Sequence, residues 1–397
     1  MNNQIEIDNK EKTALDKMDL LPYSDSILAE LSINSAKVKA MKSGKTRASY
    51  RAVINWLTKY QPYEDTSNLE KIKGLLEAFY TFCNVEEWTK AVRIIAYRLH
   101  TAENKELHKQ LDTWGYYSEQ IKLYKNIIGK LNQNVNAVLL IGLGVAYENL
   151  GIYFKSIECY QQSLETAREI NDLNIQSSAL TCLGLANHTM GKYDQAIKIF
   201  EESLFIASAI GNRQLKGAAI GNMGLSYRAL EDYTKAIECH TIHLNIAKEI
   251  GDLQAEGNAW GGLGVAYEKL GEYQKAIDFQ KKRLEVAKKI GDRQGEGNGL
   301  GNLGNVYRLL GDFDKAIDYQ QEHLFIAKEI DDFEGQGNSL YNLAKIYYEL
   351  ANFRLAIDYC NQALSIAMKL DIPLVKECQK LQKQLKVAQE VKDDQPD

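Results

Sequence analysis

Proline is scarce in this chain: 397 residues contain four. With 45% hydrophobic and 25% charged residues, that scarcity fits a folded helical protein and excludes general disorder. An excess of one charge is missing too. Forty-eight Lys plus Arg against 53 Asp plus Glu leave a formal charge of −5, so no long-range field favours nucleic acid or an anionic membrane. No apolar run approaches the roughly 18 residues that span a bilayer. The N-terminus, MNNQIEIDNKEKTALDKMDLL, lacks the basic-then-apolar pattern of a signal sequence. These absences predict a cytoplasmic protein whose partners include no nucleic acid and which does not insert into a membrane. Six cysteines are spread along the chain without CxxC pairing, so reduced thiols are expected rather than a disulfide framework.

What the chain does have is a period of 40 residues. Leu143-Gly144-x-x-Tyr147 recurs as Leu183-Gly184, Met223-Gly224-x-x-Tyr227, Leu263-Gly264-x-x-Tyr267, Leu303-Gly304-x-x-Tyr307 and Leu343-Ala344-x-x-Tyr347. A second block keeps the step, from Tyr153 and Ile157 to Phe353 and Ile357, and a third runs from Leu164 and Ala167 to Leu364 and Ala367. Six copies cover residues 136–371. Within one copy the apolar residues fall at helical spacing twice: Leu300, Leu303, Val306, Tyr307 and Leu310, then Phe313, Ala316, Ile317, Tyr319, Leu324 and Ala327. Gly311-Asp312 and Gly291-Asp292 supply a helix end followed by a cap. The spacing therefore predicts two amphipathic helices per copy.

Glycine in mid-helix costs roughly 0.5–1 kcal/mol relative to alanine. Its recurrence at 144, 184, 224, 264 and 304 predicts a close approach of the two helices, with Ala196, Ala236, Ala276, Ala316 or Ala356 facing it and an aromatic ring beside it. Cys159 and Cys239 share a position with Ile199, Phe279, Tyr319 and Tyr359, and are read as small apolar core residues.

The pattern resembles the tetratricopeptide repeat (TPR) family, with Leu-Gly-x-x-Tyr on a first helix and aromatic-x-x-Ala at the start of a second. The 40-residue period is similar to the variant in the Leu-Gly-Asn (LGN/Pins) polarity adaptors and in bacterial sensor arrays associated with STAND ATPases. The resemblance implies an all-α fold, a right-handed superhelix of antiparallel helix pairs forming an α-solenoid with a C-terminal capping helix. The expected division is a disordered tail over 1–25, a helical segment over 26–67, two divergent repeats over 68–135, six repeats over 136–371, a capping helix over 372–391 and a disordered tail over 392–397. Trp114-Gly115 with Gln120-Ile121, and Trp88 with Ala91-Val92, mark the divergent repeats. Leu374, Cys378, Leu381 and Leu385 form the stripe of a helix suited to cover a solenoid end.

Motifs for other chemistry fail on context. Gly299 to Gly304 spells GxGxxG but follows no strand pattern, and Ser43-Gly44-Lys45-Thr46 imitates the end of a P-loop whose first glycine position holds Lys39. His240 and His243 are two residues without a convergent third, which predicts a packed or solvated pair rather than a metal site. No serine, cysteine or threonine is singled out as a nucleophile. No cofactor, metal or catalytic residue is expected, and the chain is not expected to be an enzyme.

If first helices line the concave side, residues at i, i+3, i+7 and i+10 face a groove. These are Ala218, Gly221, Leu225 and Arg228; Asn258, Gly261, Val265 and Glu268; Asn298, Gly301, Asn305 and Arg308; and Asn338, Tyr341, Lys345 and Tyr348. Asn222, Asn302 and Asn342 fall at its margin. Amides can bond a peptide backbone, arginine can grip a carboxylate, and tyrosine offers flat contact area. The glycine column at 221, 261 and 301 suggests that a partner's backbone comes close there. The resulting expectation is a scaffold, a monomer or weak oligomer, binding a protein or peptide partner with acidic residues, as the resemblance to the polarity adaptors also implies. The alternative is a regulatory sensor whose N-terminal helical region is controlled by ligand binding to the array.

Overall fold

The period of 40 is met helix by helix. The computed structural model describes residues 24–393 apart from Glu64, Ala102, Glu103 and Asp371. Among the described residues there are twenty-one helices and no strand, and the only extended pairing is an isolated bridge between Arg98 and Glu106. The tails expected over 1–25 and 392–397 fall outside the described residues, except that Ser24 and Asp25 open the first helix and Lys392 and Asp393 close the last.

The chain forms two compact units that meet in sequence at Ala186 and Asn187. The first contains α1 (Ser24–Glu30), α2 (Ser35–Lys39), α3 (Gly44–Lys59), α4 (Asn68–Lys71), α5 (Lys73–Asn84), α6 (Trp88–Ile95), α7 (Leu107–Thr113), α8 (Tyr117–Ile127), α9 (Gln133–Asn149) and α10 (Tyr153–Glu169). It has its own core, in which Ile27, Leu31, Val53, Phe79, Phe82, Leu107 and Leu123 are buried in one cluster. The P-loop imitation is resolved here as a helix start: the Ser43 hydroxyl accepts the Thr46 N–H at 3.3 Å and caps α3.

Helix α11 (Leu173–Thr189) carries the chain into the second unit. That unit continues with α12 (Tyr193–Ala209), α13 (Arg213–Ala229), α14 (Tyr233–Ile250), α15 (Leu253–Lys269), α16 (Tyr273–Ile290), α17 (Arg293–Leu309), α18 (Phe313–Glu329), α19 (Phe333–Glu349), α20 (Phe353–Leu370) and α21 (Leu374–Asp393). From α12 onward each helix packs on its sequence neighbours, so first and second helices alternate in a stack. The breaks are those read from the sequence. Gly291 and Gly311 sit in the left-handed region at φ 70° and 77°, and Asp292 and Asp312 then cap the next helices by accepting the N–H groups of Gly295 and Lys315. Each such cap stabilises a helix start by about 1 kcal/mol. Leu374, Cys378, Leu381 and Leu385 of α21 are buried against α19 and α20, as expected of a helix that closes the stack.

The pairing within a repeat differs in one respect from the sequence expectation. A Cβ placed at Gly144, Gly224, Gly264 or Gly304 meets Tyr160, His240, Gln280 or Gln320, not the alanine of the second helix. The facing residue lies 16 positions downstream of each glycine, and in three of these pairs it is polar. The Tyr of the Leu-Gly-x-x-Tyr motif stacks one turn away, Tyr267 on Phe279 and Tyr307 on Tyr319, with centroids 5.3 and 5.4 Å apart. Cys239 and Cys159 take that second-helix position in other copies and are buried; burial raises both thiols to about 11, so they act as small core residues.

Candidate binding site on the third to fifth repeats

The second unit contains a cavity of about 760 Å³ bounded by α13, α14, α15, α16 and α17. All four groove positions of the third copy line it: Ala218, Gly221, Leu225 and Arg228. Asn258, Gly261 and Val265 of the fourth copy and Asn298 of the fifth join them, with Asn222 and Asn302 beside them. Sequence reasoning therefore brings together residues that the fold does place around one space. Glu268, Gly301, Asn305, Arg308, Asn338, Tyr341, Lys345 and Tyr348 lie outside its lining.

Several of those outlying residues are engaged within the chain. Arg308 pairs with Glu349 on α19, and the Asn305 side-chain oxygen accepts from Gln320 at 3.2 Å. The Lys345 ammonium stands 5.6 Å from the centre of the Tyr341 ring, and Tyr348 packs on Phe353 with centroids 6.1 Å apart. Glu268 is held by Lys269 at 3.3 Å. By contrast, the side-chain amides of Asn222, Asn258, Asn298 and Asn302, and the guanidinium of Arg228, make no hydrogen bond or ion pair among the described residues. The difference between the two arginines follows from the register. The residue 41 positions after Arg308 is Glu349, whereas the one after Arg228 is Lys269.

The glycine column has a different cause from the one expected. A Cβ at Gly221 would lie 2.7 Å from the His243 ring, one at Gly301 would lie 2.6 Å from the His323 ring, and one at Gly261 would collide with the Arg283 guanidinium. The space over each glycine is already filled by a second-helix side chain of the same repeat. This corrects the expectation that the column clears room for a partner's backbone. The column instead lets His243 and Arg283 cross over the first helix and line the cavity.

Sequence reasoning missed these second-helix residues, although a signal was there. Where the first helix has Gly221, Gly261 and Gly301, the residue 22 positions later is His243, Arg283 and His323. Where it has Ile141, Thr181 and Tyr341, that residue is Ser163, Ser203 and Ala363. Large sits opposite small in all six copies, as close packing requires.

Burial sets the charge state of the cavity. His240 is 2% exposed, neither ring nitrogen has a hydrogen-bond partner among the described residues, and desolvation followed by the charge of Arg228 lowers its pKa to about 3. Burial likewise lowers His243, so both imidazoles are neutral near pH 7. Arg283 and Arg228 are also pulled down, by burial above all, which outweighs the opposite pull of Asp292 on Arg283 and of Glu268 on Arg228; Arg228 itself lowers Arg283 a little further. Guanidinium starts so high that both keep their charge. Among the described residues no group of three or more His, Cys, Asp or Glu side chains could hold a metal ion, and no helix is long and apolar enough to cross a membrane.

Stacked helix pairs at a constant step, with a cavity bounded by successive helices, define an α-helical repeat array. The chain belongs to the tetratricopeptide repeat family, whose model matches residues 135–209, 216–289 and 296–369, more than half of its length. No curated protein matches it in sequence. Among solved structures, a Rap protein complexed with Competence and Sporulation Factor is 14% identical, with 94% of this chain and 99% of that chain covered at a TM-score of 0.58. Aspartyl phosphate phosphatase F from Bacillus subtilis is 17% identical over 83% of this chain and 86% of that one, at 0.57. A STAND signal transduction ATPase with a tetratricopeptide repeat sensor from Pyrococcus horikoshii is 18% identical over 86% of this chain and 56% of that one, at 0.53. At these identities the likeness is one of fold.

Proposed function

We propose that this chain is a non-catalytic, cytoplasmic scaffold that holds a segment of a partner protein in the cavity of its third to fifth repeats. The observation that carries the reading is the set of side-chain amides at Asn222, Asn258, Asn298 and Asn302 around one space, none of them paired among the described residues. A side-chain amide offers both donor and acceptor, which matches the alternating N–H and C=O groups of an extended peptide. Family membership supports an interaction role in general, and repeat arrays typically bind along the face formed by successive first helices. Arg228 favours a segment with an acidic residue. Arg308, already paired with Glu349, contributes less than its register suggests.

The reading is tested by affinity capture with wild type and an Asn258→Ala, Asn298→Ala double variant. Both side chains are at least partly exposed, so the variant should fold as wild type does. The expected result is that specific partners are lost from the variant, each amide removed costing about 1 kcal/mol. Partners retained in full by the variant would refute the assignment to this cavity.

One observation favours a second reading, a regulatory sensor: residues 24–186 form a compact unit with a core of their own, as an effector region would need. Glu70 and Glu87 of that unit are paired with Lys73 and Lys90, as ordinary helix-surface carboxylates are.

A further inference from the structure

We propose that Arg283, crossing over Gly261 from the second helix of its repeat, joins Arg228 to form a receiving site for one aspartate or glutamate side chain of the bound segment. This inference rests on the groove reading above. Nothing in the register of first helices points to Arg283, because it belongs to the other column.

Three observations support it. Both guanidiniums line the same cavity. Neither makes a hydrogen bond or ion pair among the described residues; Glu268 and Asp292 act on them only from a distance, so two half-buried cations face the space without a contacting anion, an arrangement that is costly until one arrives. The third is the local charge balance. Asp252 is the only carboxylate in the lining, and it is committed to capping α15 through the Ala255 N–H at 2.9 Å. Glu268, near Arg228, is held by Lys269, and Asp292, near Arg283, accepts from Gln254 at 2.9 Å and from the Gly295 N–H at 2.8 Å. Neutral His240 and His243 add nothing. Two cations against that acidic background suit a monoanion, which a planar guanidinium can grip with two parallel hydrogen bonds, better than a phosphate dianion.

The test is an NMR titration of the full chain, following the arginine Nε–Hε groups at constant ionic strength, with Arg228→Gln and Arg283→Gln assigning the two signals. The probe is aspartate blocked at both ends, N-acetyl-aspartate N-methylamide, against the same compound made from asparagine and against inorganic phosphate. The expected result is saturable movement of both signals with one dissociation constant for blocked aspartate, no movement for blocked asparagine and weaker binding of phosphate. Gly261→Ala should weaken the aspartate response while leaving every charge in place, because its methyl occupies the path of Arg283. Equal shifts from aspartate and asparagine, tighter binding of phosphate, or an Arg228 response unaltered by Arg283→Gln would overturn the proposal. If captured partners depend on Asn258 and Asn298 while neither arginine distinguishes aspartate from asparagine, the two-arginine site fails and the groove reading stands. If blocked aspartate titrates both arginines but partners ignore those asparagines, the groove reading fails instead.

Discussion

Replacing Gly262 with alanine should destabilise the second unit by about 2–3 kcal/mol, while the same change at its neighbour Gly261 should be close to neutral. In an exposed helix both would gain roughly 0.5–1 kcal/mol of helix propensity. The surroundings decide otherwise. A Cβ at Gly262 would lie 2.6 Å from the His240 ring, and the opposite helix brings Gly224 to the same ring, where a Cβ would lie 2.8 Å away. The imidazole is 2% exposed and walled on both sides, so it cannot turn aside. At Gly261 the obstacle is the far end of the flexible Arg283 side chain, which can move into the cavity. A chain of two units does not promise two-state unfolding, so the measurement is hydrogen exchange of peptides from α13 to α15 in each variant. Equal protection in the two variants would show that His240 is not wedged between these helices.

The second large effect is loss of stability in mild acid. His240 has a folded pKa of about 3 against an ordinary value of 6.5. Below pH 6.5 the unfolded chain takes up a proton that the folded chain refuses until about pH 3, so stability is intact at neutral pH and falls as the pH drops through that window. At pH 5 the loss from this residue is about 2 kcal/mol, at roughly 1.4 kcal/mol per pH unit. Burial also lowers His188, His243 and His323, which act in the same direction. His240→Gln isolates the contribution. At the same register Gln280 and Gln320 donate to the carbonyls of Gly261 and Gly301 at 3.2 and 2.9 Å, so a glutamine at 240 is in register to donate to Gly221. The variant should gain about 1 kcal/mol at pH 7.5 and show a shallower acid slope in the protection of peptides from α13 to α15, measured by hydrogen exchange from pH 7.5 to 4.5 and corrected for the intrinsic pH dependence of exchange. An unchanged slope would mean that the histidine is charged or hydrated in the folded state.

Gly262 and His240 mark the limit of what the amino-acid sequence makes legible. Helix pairs, their breaks and the closing helix follow from a repeated step, because Gly311-Asp312 and its counterparts specify a local backbone geometry that no distant residue alters. The glycines were legible as places of close approach, but their partners were not, since a column read alone does not say which column faces it. Gly261 and Arg283 are explained only as a pair. Arg228 and Arg308 look equivalent in their column and differ because Lys269 follows one and Glu349 follows the other, a comparison across two columns at once. The divergent helices before Gln133 hold no constant step, so their packing was visible only as hydrophobic spacing.

The claim at the centre is that unpaired amides on successive first helices form the partner site. Selecting peptides from a displayed random library on the full chain, then measuring each selected peptide on variants, tests it most directly. Binding is expected to fall at least about tenfold in the Asn258→Ala, Asn298→Ala variant, the equivalent of about 1.4 kcal/mol, and to be unaffected by Lys281→Ala and Glu285→Ala on the exposed side of α16. Peptides whose binding survives in the first variant and collapses in the second would place the site on the opposite face and contradict it.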